Sequence, residues 1–114
     1  TLIQSQLLIT KDATKSVRFH CELQNIAVRG AVIHWYRQRQ GEGLQRLLYF
    51  NTLSDQQKDV ADQRLFVEKI VETKLCTLIL KTIRADDAGT YYCAYWVSGT
   101  WIKIFGSGTR LIVT

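Results

Sequence analysis

Cys21, Cys76 and Cys93 carry the most distinctive chemistry in this sequence. An odd count admits at most one bridge within the chain and leaves one thiol over. If Cys21 and Cys93 pair, the closed loop is long, and loop-closure entropy alone gives about 4 kcal/mol of stabilisation. Such a bridge implies an oxidising compartment, secretory or cell-surface. Cys76 shares its strand parity with Leu78 and Leu80, which reads as a core thiol acting as a small hydrophobe. An intermolecular bridge or a reactive thiol is the other reading. His20 and His34 are not at metal-ligand spacing and lack a Cys/His/Asp cluster around them, so no metal is expected. The serines lack a glycine elbow and a paired base. Neither catalysis nor a cofactor is expected.

The elements that must position these residues are short strands. Ser16–Leu23 alternates strictly, with Val17, Phe19, Cys21 and Leu23 on one face and Arg18, His20 and Glu22 on the other, the pattern of a half-buried strand. Ala31–Gln38 follows, with Ile33 and Trp35 inward and His34, Tyr36 and Gln38 outward. Gln40-Gly41-Glu42-Gly43 is a turn, and Leu44–Phe50 returns. Leu65–Ile70 and Leu75–Thr82 read as a hairpin pair, Tyr91–Tyr95 and Ile104–Thr114 as the final strands. Residues 84–88 suit a single helical turn. Proline is absent, so turns are read from Gly, Asn, Asp and Ser.

The chain has 114 residues and a net charge of +5, one domain by length. Its lysines and arginines are scattered among acids, which favours a solvated basic surface over a phosphate track, and no nucleic acid is expected. No apolar run is long enough to span a bilayer, and no leader pattern opens the sequence. This reads as a mature or trimmed fragment whose membrane anchor, if there is one, lies elsewhere.

Cys21, Trp35 and Cys93, with Asp87-Ala-Gly-Thr-Tyr91-Tyr92-Cys93 ahead of the last cysteine, resemble the framework of an immunoglobulin variable domain. The likeness continues in Trp35-Tyr36-Arg37-Gln38, Leu47-Leu48-Tyr49 and the glycine bulge Phe105-Gly106-Ser107-Gly108-Thr109. Cys93-Ala94-Tyr95-Trp96, and Ile102 through Thr114, are similar to T-cell receptor gamma chains. Gln40 and Ser5 replace customary prolines, and Ser107 varies the bulge.

The resemblance implies an all-β variable-type sandwich: two antiparallel sheets, Greek-key connections and one inter-sheet disulfide, Cys21 to Cys93. It implies a single domain over residues 1–114, a V segment to about 97 and a joining segment from about 101. Trp35, Tyr91, Cys76 and Leu78 belong to its core. The Trp35 indole N–H is expected to find a backbone carbonyl, and the Tyr91 hydroxyl to bond backbone at the preceding turn. Arg64 and Asp87 are expected to form a partly exposed structural ion pair, contributing about 1 kcal/mol or less.

His34, Tyr36, Gln38, Leu44, Arg46, Tyr49, Tyr92 and Phe105 fall on the sheet face opposite the core. So many aromatic and apolar groups mark an interface, and the resemblance assigns it to a second variable domain, most often of delta type, with a less usual receptor chain as the other partner. Arg46 stands where a leucine-like residue is common, so the partner is expected to supply an acid. The recognition loops are approximately 24–31, 50–58 and 94–104. Arg29, Asn51, Tyr95, Trp96, Val97, Ser98, Gly99, Thr100 and Trp101 are their candidate ligand contacts, Trp101 foremost, since tryptophan supplies contact area at low entropy cost. Trp96 is the scaffold member, set against the partner. The function implied is recognition of a cell-surface ligand by the extracellular part of a plasma-membrane receptor, with signalling subunits reached through regions outside this sequence. Another antigen-receptor or light-chain-like variable domain, or an invariant adhesion domain, would share much of this framework.

Overall fold

In the computed structural model, residues 1–52, 55–97 and 100–114 are described. Eleven strands are assigned among them: β1 (Leu2–Ile3), β2 (Leu8–Lys11), β3 (Val17–Leu23), β4 (Ile33–Gln38), β5 (Leu44–Phe50), β6 (Gln57–Lys58), β7 (Leu65–Ile70), β8 (Leu75–Leu80), β9 (Gly89–Trp96), β10 (Lys103–Phe105) and β11 (Thr109–Val113). They form two sheets. One runs β1-β3-β8-β7; the other runs β2-β11-β9-β4-β5-β6, with β10 added to β9. The pairings are antiparallel except β2 on β11, which is parallel.

The N-terminal segment thus divides between the sheets. β1 pairs with β3 and β2 with β11, and neither was foreseen: two- and four-residue strands are too short to show a period. The expected strand 104–114 is interrupted at 106–108, giving β10 and β11. A 3-10 turn occupies Ala85–Asp87.

β3 buries Val17, Phe19, Cys21 and Leu23, as its alternation requires. Phe19 stacks on Tyr91 with ring centroids 4.1 Å apart. Cys21 and Cys93 are disulfide-bonded between the sheets. Trp35 stands directly across from Cys93 in the β4–β9 register. The Trp35 indole N–H, expected to reach a carbonyl, meets no acceptor among the described residues; the site is closed by apolar groups instead. Cys76 lies opposite Cys21 on β8 and is fully buried, and burial pushes its thiol up to about 11.

β5 departs from strict alternation. The β4–β5 register slips between Trp35 and Tyr36, so that Trp35 faces Leu48 and Tyr36 faces Arg46. The extra residue, Leu47, turns inward beside Leu48, and both are fully buried. A bulge of this kind re-aims every later side chain. Leu44 and Arg46 before it, and Tyr49 after it, consequently share the outer face.

Candidate recognition and pairing surface

The outer face of β4, β5, β9 and β10 gathers the expected interface residues. Tyr36 and Tyr92 are opposite each other in the β4–β9 register, and Gln38 faces Leu44 in β4–β5. Phe105 tilts onto Tyr36 at 5.4 Å. Leu44 is 46 % exposed and Phe105 42 %, so a shallow apolar depression lined by Gln38, Leu44, Tyr92, Phe105 and Gly106 opens to solvent. Gln38 donates to the Glu42 carbonyl at 3.3 Å.

His34 and Tyr36 lie on this face yet are buried within it. Tyr49 stacks on His34 at 5.3 Å, and the Arg46 guanidinium covers the Tyr49 ring at 4.6 Å. Burial, then the positive charges of Lys103 and Arg46, lower the His34 pKa to about 4, against a smaller pull from Asp59. The ring is therefore neutral at physiological pH. Arg46 does not wait for an acid from a partner. Its Nε and Nη2 donate to the two carboxylate oxygens of Asp59 at 2.7 and 3.2 Å. Strand parity could not show this, because Asp59 reaches the face through the short pairing of β6 with β5.

Lys103 was also missed. It is paired directly with Trp96 across β9–β10. Its Nζ lies 4.7 Å from the Trp96 ring centre, 4.5 Å from that of Tyr36 and 5.6 Å from that of Phe105, and it donates to the Tyr36 hydroxyl.

Above this face stand the candidate recognition loops. Arg29 is exposed, whereas Val28 and Ala31 are buried and anchor the first loop to the core. Asn51, expected as a ligand contact, is held by the framework. Its carbonyl and Oδ1 accept from Lys69 Nζ at 2.9 and 3.1 Å, and the same ammonium reaches the Ala31 carbonyl at 2.9 Å. One half-buried lysine on β7 therefore joins the first two loops, and burial holds it below the ordinary lysine range. The amides of Asn51 and Thr52 donate to Asp55 at 3.1 and 2.6 Å.

In the third loop Tyr95 belongs to β9, half-buried against the core and paired with Ile104. Trp96 is 40 % exposed, its ring held by Lys103. The Val97 amide donates to the Ile102 carbonyl at 2.9 Å, and the Thr100 hydroxyl to the Val97 carbonyl at 2.9 Å. These bonds close the loop at its neck. Trp101 is 94 % exposed. Ser98 and Gly99 lie outside the described residues.

The base of the third loop rests on a residue the sequence reading passed over. Gln4 is buried and latches the glycine bulge to β9. Its Oε1 accepts from the Cys93 and Gly108 amides at 3.2 and 3.0 Å, and its Nε2 donates to the Tyr91 carbonyl at 2.9 Å. A Cβ on Gly106 would collide with the Gln4 Oε1 and stand 3.0 Å from the Cys93 Sγ. Gly108 has φ +94°, and a Cβ there would lie 2.6 Å from Tyr92 Cε1. Both positions thus require glycine, one for space and one for backbone conformation as well.

At the opposite end Arg64 donates to Asp87 through Nη1 and Nη2 at 2.8 and 3.0 Å. The pair is more deeply set than the partly exposed one expected, for Asp87 is 1 % exposed, and Asp62 joins from the other side at 2.9 Å. Burial alone would raise the Asp87 carboxyl, but bonds from Arg64 and the Arg84 amide outweigh it and hold it below the ordinary range. The Tyr91 hydroxyl donates to the Asp87 carbonyl at 2.6 Å.

An immunoglobulin V-set domain model matches residues 4–114. The chain belongs to the immunoglobulin V-set family. Among V-set relatives it is 32 % identical over 114 residues to the mouse T-cell receptor gamma chain V region 5/10-13, covering 98 % of this chain and 84 % of that one. It is 32 % identical over 96 residues to the human probable non-functional T cell receptor gamma variable 10, covering 82 % and 81 %. A solved marsupial T cell receptor superposes with a TM-score of 0.87 at 32 % identity, over 100 % of this chain and 51 % of the other; this V-set domain spans about half the length of that receptor chain. Family and relatives together support antigen recognition by a T-cell receptor variable domain. No helix among the described residues is long and apolar enough to cross a membrane.

Proposed function

We propose that this chain is the extracellular variable domain of a T-cell receptor gamma chain. It pairs with a delta-type variable domain through the outer face of β4, β5, β9 and β10, and it binds a cell-surface ligand with its three loops. It acts by complementarity of shape and hydrogen bonding, without catalysis, and reaches signalling subunits and the plasma membrane through parts of the receptor outside these residues. Residues 1–97 correspond to the V segment and those from about 101 to the joining segment. The carrying observation is the exposed pair Leu44 and Phe105 beside Tyr36, Tyr49 and Tyr92 on one sheet face. A face of aromatics without a cover is the composition of an interface core. Trp101, nearly wholly exposed beside the loop neck, is the foremost ligand contact.

Co-expression with delta variable domains from the same source tests the pairing. A stable heterodimer is expected by sedimentation, and Leu44→Glu should dissociate it. A Leu44→Glu chain that pairs as well as the parent sinks the reading.

A further inference from the structure

Lys103 and Arg46 are two cations on the same face with different fates. Arg46 is neutralised within the chain by the fork to Asp59. Lys103 makes no ion pair among the described residues. Its ammonium is boxed by the rings of Tyr36, Trp96 and Phe105 and bonded to one hydroxyl. Such a box attracts a cation through the ring quadrupoles. It satisfies one N–H donor of the three an ammonium carries, and water serves the rest while the face is open.

A partner domain that covers Phe105 and Trp96 also removes that water. An ammonium shut away with unsatisfied donors costs far more than its ring contacts return. A buried, hydrogen-bonded charge pair across an interface removes that cost and fixes register. A second copy of this chain is a poor source of the anion, since it brings another unpaired Lys103 to the face and an Asp59 already held by Arg46; its homodimer is an outcome of the test below. We propose that the partner of this face is a different variable domain that presents an Asp or Glu carboxylate to Lys103, at the border between the interface and the third loop. This rests on the pairing reading above and adds the chemistry by which the partner is chosen.

The test uses the heterodimer formed with delta variable domains from the same source, with Lys103→Met and Lys103→Glu compared with the parent at low and high salt. Lys103→Met keeps the apolar stem and loses the charge. It should weaken pairing about tenfold or more and flatten the salt dependence, and Lys103→Glu should weaken it further, as expected for a desolvated charge pair. Thermal unfolding of each unpaired variant serves as the folding control. Unchanged or tighter pairing of Lys103→Met, with an unchanged salt slope, overturns the carboxylate while leaving the pairing intact. Pairing that survives Leu44→Glu overturns the face itself, so the two failures are distinct. A homodimer of the parent chain that is weakened by neither Lys103 variant would also count against the inference.

Discussion

Arg64 and Asp87 meet in a two-bond fork at the end of the sandwich away from the loops, with the carboxylate almost wholly buried and the guanidinium shared with Asp62. The two ends of this fork are not equivalent. Arg64→Ala strands a buried carboxylate and should cost about 3–5 kcal/mol. Asp87→Ala leaves Arg64 still paired with Asp62 and should cost less. Both carboxylates titrate below their ordinary 3.8. Their contribution is therefore fully present above that value and is lost as pH falls through the lowered folded values. Denaturant titrations from pH 5 to pH 2 should show a steep acid loss in the parent and a shallower one in Asp87→Ala.

Gly106 and Gln4 should behave as one unit. Gly106→Ala drives a methyl into the glutamine oxygen and toward the disulfide, an overpacking that costs about 1–3 kcal/mol. Gln4→Ala orphans the Cys93 and Gly108 amides at about 1–3 kcal/mol for each buried group left unpaired. In a double-mutant cycle the pair should be less damaging than the sum, since removing the glutamine clears the space the methyl needs. Strict additivity would mean the two do not share that space.

His34 gives a second, separate pH response. Its folded pKa of about 4 lies below the ordinary 6.5. Between these values the unfolded chain binds a proton that the folded chain refuses, so stability falls as pH drops from 6.5 toward 4 and is flat above. His34→Asn should remove this slope and leave the wing below 3.8 that belongs to Asp62 and Asp87. Equal slopes in both proteins would refute the assignment to His34.

Lys69→Met should uncouple the first two loops. The variant keeps the aliphatic stem and deletes the bonds to Ala31 and Asn51. A loss of about 1–3 kcal/mol is expected for bonds to a charged donor. Hydrogen exchange should quicken together at residues 28–33 and 50–52 and stay unchanged at 94–97. Exchange that quickens in one loop alone would show that the lysine does not join them.

Cys76 should resist alkylation in the folded protein. The thiolate is the reactive form, and full burial with a raised pKa suppresses it. Labelling should follow global unfolding by denaturant, while rapid modification under native conditions would contradict the core placement.

Regular alternation made much of the fold legible. Leu44–Phe50 and Leu65–Ile70 coincide with β5 and β7, and β3 starts one residue inside the expected strand. Periodicity fails where the chain changes phase or runs short. Leu47-Leu48 reads as a pair of leucines until the bulge explains it, and β1, β2 and β6 hold too few residues to show a period. Side-chain pairing across the chain left no local trace. Gln4, Asp59 and Lys103 each act on residues far away in sequence, and a buried glutamine or a boxed lysine runs against the ordinary exposure of its type. Asn51 and Tyr95 lie within loop boundaries drawn by composition, and their ties to the framework, through Lys69 and through the pairing of β9 with β10, leave no mark in the local sequence.

The slip between Trp35 and Tyr36 has a consequence for how this face can change. Leu47 works as a phase shifter: upstream of it even-numbered β5 residues look outward, and downstream odd-numbered ones do. Deleting Leu47 would remove the bulge and restore strict alternation: Leu48 would take the inward place after Arg46, and Tyr49 would still look outward. The surface is thus encoded in the order of inward and outward places rather than in odd and even numbering, and a chain that drifts in sequence can lose or keep that single extra residue without exchanging the two faces.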